Sequence, residues 1–168
     1  MILRNSIRWG LILGLSVVIS TQVLTWMGYG LTNWFVGLTY LCVVICTWLG
    51  CRGIGLLKGR EMTWKEAVVF LLAMIIIGRY IFQVYMFVYV FYIEPDWIEK
   101  VTEIWTDMMK DQGLTSEVIQ QRIAFFHRAY LPWRMFSIEI FAIGLPQLAL
   151  SLLVFGLRRW LKHRTLKQ

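Results

Sequence analysis

The sequence predicts an all-α membrane protein: a four-transmembrane-helix bundle with both termini cytoplasmic and an extracytoplasmic amphipathic helical hairpin between helices three and four. Of the 168 residues, 58% are hydrophobic and only 16% are charged, whereas a soluble domain is roughly 45 to 50% apolar and about 25% charged. A membrane-spanning helix needs about 20 mainly apolar residues. Four segments meet or approach this requirement, and we expect one membrane domain over residues 1–168. The segments are residues 9–27, 33–51, 67–93 and 133–157.

The first two spans are predicted to form an antiparallel hairpin around the turn at Gly28-Tyr29-Gly30. Arg4 and Arg8 precede the first span, but no small-x-small cleavage site follows it, so we interpret it as a retained helix. Small residues recur every four positions on both helices, which lets two backbones approach closely in a membrane. We expect the cysteines among them to serve packing rather than disulfide formation or zinc binding. These small residues are Gly10, Gly14, Cys42, Cys46 and Gly50.

The third span begins at a helix start signal near the membrane surface. Glycines between Gly50 and Gly59 are expected to interrupt the helical pattern, and Thr63 with Glu66 matches a capping box that restarts it. The fourth span contains Pro146, which removes a backbone hydrogen bond and is expected to kink the helix.

The connection at residues 94–132 is predicted to be a helical hairpin. Apolar residues recur at helical spacing from residue 96 to 112, Gly113 ends this first helix, and a second helix reaches Tyr130. The apolar face must be covered by the outer leaflet, by the bundle or by a partner. Helices attracted to anionic lipid are usually basic, whereas this polar face is acidic, which favours a lid or a docking surface. The docking candidates are Trp97, Val101, Trp105 and Met108.

The distribution of charge predicts the orientation. Lys and Arg accumulate in short cytoplasmic loops, and eleven of the seventeen basic residues lie before the first span, between spans two and three, or after span four. Residues 28–32 carry no charge, and residues 94–132 hold seven acidic side chains against four basic ones. Both termini are therefore expected on the cytoplasmic side of the membrane.

Two opposite charges are predicted inside the membrane. The third span enters the membrane at Ala67 from one side and the fourth at Trp133 from the other. At 1.5 Å per residue from these entry points, Arg79 and Glu139 lie at a similar depth. An unpaired intramembrane charge costs at least ~2.5 kcal/mol, so such groups pair or face a wet cavity. We expect an Arg79–Glu139 ion pair, with Gln83, Gln22 and Tyr40 as further members of a polar cluster. The cluster is either a structural clamp or a ligand site.

Residue patterns for catalysis are weak. His127 and His163 are too far apart for one metal site, and the chain has neither a Gly-rich phosphate loop nor a Ser, His and Asp set that the topology would bring together. We expect no cofactor, no metal and no nucleic acid. Membrane lipids are expected partners. Four helices make a thin bundle, so we also expect either a homodimer or a membrane-protein partner.

Several short motifs and their order along the chain resemble those of a known family of bacterial inner-membrane proteins, the domain of unknown function 4199 family. The resemblance implies four membrane helices with a long insert before the last, and it implies no catalytic residues. The motifs are Gly53-Ile54-Gly55, Lys58-Gly59-Arg60-Glu61, Met62-Thr63-Trp64-Lys65-Glu66-Ala67, Ile93-Glu94-Pro95-Asp96-Trp97, Gly113-Leu114-Thr115 and Leu145-Pro146.

Two functional hypotheses follow, and a third ranks below them. The first is a non-enzymatic accessory or assembly partner in the cell envelope, with the acidic hairpin as its docking surface. The second is a carrier or flippase for an anionic lipid-linked molecule of the polyprenyl-phosphate type. The resemblance implies that such a carrier works with a glycosyltransferase. Arg79 would contact the anionic headgroup of the carried molecule. The third is a membrane-bound enzyme that uses Glu139 as acid or base.

Overall fold

The computed structural model describes residues 2–27, 33–136 and 138–165, without the side chains of residues 33–35, 58, 133, 138–142 and 163–165. All regular structure in these ranges is helical. The chain divides into two compact units, Met1–Phe82 with Ile140–Gln168, and Gln83–Glu139. The expected single membrane domain stays a prediction.

The helices follow the predicted order, with a short additional turn before the last one. Among the described residues, three helical segments are long and apolar enough to cross a membrane, namely Ile2–Trp26, Val36–Leu57 and Trp64–Ile93, which confirms the prediction of apolar membrane helices. The fourth predicted span falls in a helix of 28 residues and stays a prediction. The helices are α1 Ile2–Trp26, α2 Asn33–Lys58, α3 Trp64–Val88, α4 Trp97–Asp111, α5 Ser116–Ala129, α6 Pro132–Met135 and α7 Ile138–Thr165, and a π-helical turn, Tyr89–Ile93, extends α3.

Helix α2 continues beyond the glycines that were expected to interrupt it. The helix passes through Gly50, Gly53 and Gly55 and ends at Lys58, so the expectation was wrong for these three residues. A glycine costs a helix only about 1 kcal/mol relative to alanine, and the burial of Ile54 on the same turns favours continued helix. Gly59 ends the helix because it adopts a left-handed backbone conformation, with φ of +64°.

In the first unit, small residues bring α1 and α3 close together. A Cβ atom placed on Gly14 would lie 2.8 Å from the Cβ of Ile81 and 2.9 Å from the carbonyl oxygen of Gly78. One placed on Gly10 would lie 2.7 Å from the Cβ of Ile77. Only glycine allows this approach, so these positions define the packing of the two helices.

The start of α3 has the predicted capping box. The Glu66 amide donates to the Thr63 hydroxyl at 3.3 Å, and the Thr63 amide donates to the Glu66 carboxylate at 3.0 Å. Arg60 donates to both oxygens of the same carboxylate, at 2.8 and 3.2 Å. The predicted capping box is therefore confirmed. It provides hydrogen-bond acceptors for two backbone N–H groups at the helix start, those of Thr63 and Glu66.

The second unit contains the predicted helical hairpin. Helices α4 and α5 bury Val101, Met109, Ile119 and Phe126 between them. Gly113 follows α4 with φ of +73°, which confirms it as the residue that ends the first helix of the hairpin. The amphipathic hairpin therefore has an apolar interior of its own.

Candidate functional site

An open apolar groove lies along helices α4 and α5 of the hairpin. Its volume is about 600 Å³. Trp105 and Met108 on α4 and Phe125 on α5 line it and are 40%, 51% and 69% exposed. Large apolar side chains at this exposure in one concave surface are typical of an interaction site. Gln112 and Gln121 also line the groove, and their amides can donate and accept hydrogen bonds.

The four predicted docking residues occupy three different environments. Val101 is 1% exposed and belongs to the interior of the hairpin. Trp97 is half-buried, with its ring centroid 5.3 Å from that of Tyr130. Trp105 and Met108 line the groove. The sequence prediction did not include Phe125, although the helical spacing of the apolar residues in α5 would have indicated it.

A charged cluster joins the π-helical turn after α3 to the first turns of α4. Lys100 donates to the Glu94 carboxylate at 2.7 Å, and the Tyr89 hydroxyl donates to the other oxygen of that carboxylate at 2.6 Å. These two hydrogen bonds, the one from Lys100 above all, hold the pKa of the Glu94 carboxyl below its ordinary value of 4.5. The same contact raises the pKa of Lys100. This corner of the unit is therefore stabilised by ionised groups.

Arg79 lies deep in a candidate span. It is 5% exposed and belongs to the segment Trp64–Ile93, roughly 22 Å from its first residue at 1.5 Å per residue. Its guanidinium carbon lies 5.2 Å from the centroid of the Phe82 ring. A cation–π contact in an apolar setting contributes about 2 kcal/mol and is one of the interactions of Arg79.

The remaining members of the predicted polar cluster have different surroundings. Gln83 is 1% exposed and donates its side-chain amide to the carbonyl oxygen of Met135. Gln22 and Tyr40 are half-buried on α1 and α2. The side chain of Glu139 lies outside the described residues, so its pairing with Arg79 stays a prediction.

A further buried polar contact joins α2 to α7. The Thr47 hydroxyl donates to the Ser151 hydroxyl at 3.0 Å, and neither residue is exposed. Gln147, one turn from Ser151, is 1% exposed, and its amide has no hydrogen-bond partner among the described residues. Sequence reasoning did not identify the Thr47–Ser151 contact, because no local signal links two residues so far apart in the chain.

Within the described ranges, no three His, Cys, Asp or Glu side chains are grouped so that they could hold a metal ion. The cysteines Cys42, Cys46 and Cys51 are free thiols.

Comparison with known families gives one match. A model of the family described as "Protein of unknown function (DUF4199)" matches residues 8–157, which is most of the chain. No curated protein and no solved structure matches significantly.

Proposed function

We propose, for a chain that belongs to the DUF4199 family, that this integral membrane protein is a non-enzymatic accessory or assembly partner in the cell envelope. Its hairpin would dock a helix of another membrane protein. The observation on which this proposal depends is the apolar groove along α4 and α5, where Trp105, Met108 and Phe125 are exposed.

The shape of the groove favours a helical ligand. Helices α4 and α5 have 15 and 14 residues, so each is roughly 21 to 22 Å long. A groove between two helices of this length accommodates three to four turns of an amphipathic helix, which inserts apolar side chains at every third or fourth position. Methionines at 108 and 109 add adaptable apolar contacts.

Charge favours a basic partner protein over anionic lipid or a second copy of the hairpin as the ligand of the groove. The connection at residues 94–132 has seven acidic and four basic side chains. A leaflet rich in anionic lipid repels such a surface, and a second copy of the hairpin brings the same excess of negative charge. A helix with a basic polar face would complement it. The charged residue among those that line the groove is basic, Arg122, so the acidic side chains lie around the groove rather than in it. We therefore propose that the ligand is an amphipathic helix of a different membrane protein, whose apolar face enters the groove and whose basic face contacts these surrounding acidic side chains.

The proposed topology puts the groove outside the cytoplasm of a bacterial inner membrane. Helix α7 is taken as the fourth span, since its 28 residues extend roughly 42 Å and its last turns are basic. The excess of Lys and Arg in the first turns of α1, from the end of α2 to the start of α3, and in the last turns of α7 supports cytoplasmic termini in a multi-pass arrangement.

Site-specific photocrosslinking in cells tests the proposal. A benzophenone side chain is introduced at Met108 in the groove and, as a matched control, at Glu103, which is exposed on the same helix outside the groove. The Met108 probe should give one discrete adduct with another membrane protein, through a basic amphipathic segment identified by mass spectrometry. The Phe125→Ala substitution should reduce this adduct. Adducts from both positions alike, or from Met108 only to lipid or to a second copy, would exclude the proposed partner.

Arg79 favours a second candidate function, a carrier or flippase for an anionic lipid-linked molecule that works with a glycosyltransferase. A buried guanidinium in a span can meet a phosphate. The test is transfer of a fluorescent polyprenyl phosphate across proteoliposomes. Arg79→Met should abolish transfer and leave the unfolding temperature unchanged. Transfer at the wild-type rate by the folded variant would exclude the carrier.

A further inference from the structure

A second cavity, of about 640 Å³, lies in the first unit. It is formed by the C-terminal turns of α2, the connection that follows Gly59, and the C-terminal part of α7. The candidate span in α2 ends at Leu57 and the next span begins at Trp64. The cavity therefore lies where two spans end, at the level of lipid headgroups rather than of the hydrocarbon core.

Cationic side chains dominate the lining of this cavity. Three of them are engaged by carboxylates: Arg60 pairs with Glu66 at 2.8 Å, and Lys162 and Arg159 pair with Glu61 at 3.1 and 4.0 Å. Arg52 and Arg158 have no acidic partner among the residues that the structure describes, so their charge is available to a ligand. The charged residues that line the cavity are Arg52, Arg60, Arg158, Arg159, Lys162 and Glu61.

Apolar side chains form the rest of the wall. Trp48 packs against the Arg158 guanidinium, with 6.0 Å between the guanidinium carbon and the ring centroid. Phe155 is buried in the wall, and Leu56 is 74% exposed at its edge. The cavity thus combines several cations with an apolar border, the chemistry that suits an anionic group attached to an apolar chain.

We propose that this cavity binds a phosphate group, with Arg52 and Arg158 as its principal ligands. The guanidinium fork matches the oxygens of a phosphate and donates two parallel hydrogen bonds to them. Basic pockets at the ends of membrane helices bind acidic lipid headgroups in this way, and a soluble phosphate ester offers the same chemistry. The site is separate from the groove on α4 and α5 and goes beyond the docking function.

Titration of the purified full chain in detergent micelles tests the site and distinguishes its two sources of phosphate. The ligands are phosphatidic acid, phosphatidylcholine and inorganic phosphate, and the readout is the shift of the unfolding temperature. Phosphatidic acid should stabilise the protein in a saturable way and phosphatidylcholine should not. Inorganic phosphate that binds as tightly as phosphatidic acid would assign the cavity to a soluble phosphate ester.

Matched variants locate the binding. Arg52→Gln with Arg158→Gln should raise the apparent Kd for phosphatidic acid at least about tenfold, as expected when a charged hydrogen-bond donor is removed. Arg4→Gln with Arg8→Gln removes two exposed cations outside the cavity and should change the Kd less than about threefold.

The double variant Arg52→Lys with Arg158→Lys keeps both charges without the guanidinium fork. Its Kd for phosphatidic acid should lie between those of the wild type and the glutamine double variant, and its folding serves as a control. An equal loss in the cavity pair and the pair at positions 4 and 8 would overturn the proposal. So would equal stabilisation by phosphatidic acid and phosphatidylcholine.

Discussion

Replacement of Gly14 by alanine tests the close packing of α1 on α3. The added Cβ would lie 2.8 Å from the Cβ of Ile81 and 2.9 Å from the carbonyl oxygen of Gly78, whereas carbon atoms pack best at about 3.5 to 4.0 Å. Neither atom belongs to the flexible end of a side chain, so the helices must separate. Overpacking costs about 1 to 3 kcal/mol, and the better helix propensity of alanine returns about 1 kcal/mol. The net effect should be a loss of about 0 to 2 kcal/mol.

Gly53 provides the matched control. It also lies inside a helix, but no atom lies within 4 Å of a Cβ placed there. Gly53→Ala should therefore stabilise the protein by about 1 kcal/mol, and the free energies of unfolding of the two variants should differ by about 1 to 3 kcal/mol. Unfolding in mixed micelles of SDS and a mild detergent, followed by circular dichroism, gives both values. A Gly14→Ala variant as stable as Gly53→Ala would refute the proposed packing of α1 on α3.

Three further predictions concern polar contacts. Thr47→Val leaves the buried Ser151 hydroxyl without its donor and should cost about 1 kcal/mol, most of which the double variant with Ser151→Ala should recover in the same unfolding assay; an additive loss would contradict the contact. The lowered pKa of Glu94 implies a stability contribution that is full above the ordinary pKa and is lost as the pH falls through the lowered one. Glu94→Gln should therefore flatten the acid side of the stability–pH curve, and an unchanged curve would contradict this contribution. If Arg79 and Glu139 form a structural pair, Arg79→Met should lower the unfolding temperature and added Glu139→Gln should restore it; no recovery would argue against the pair.

Local features of the fold could be predicted because each depends on a few neighbouring residues. Thr63 and Glu66 satisfy each other's backbone donors three positions apart, and Gly113 ends α4 through its own backbone conformation. The end of α2 was misplaced because three glycines suggested a break. A helix interior tolerates them when the intervening side chains are buried, as Ile54 is.

The sites were less predictable because they depend on contacts between distant segments. Thr47 and Ser151 are 104 positions apart, and the spans are apolar on most faces, so no stripe of residues indicates which sides meet. The hairpin is different, since its apolar periodicity pointed to Trp105 and Met108, and both line the groove. That periodicity did not show that Val101 is fully buried.

Accessibility of the groove in cells tests the central claim most directly. In a background without the three native cysteines, Met108→Cys and Glu103→Cys are labelled with a membrane-impermeant maleimide, once in intact cells and once in lipid nanodiscs that hold only this protein. The proposed docking function predicts that the cysteine at position 108 is labelled in nanodiscs and protected in cells, while the cysteine at 103 is labelled in both. Equal labelling of the cysteine at 108 in cells and nanodiscs would contradict a groove occupied by a partner protein.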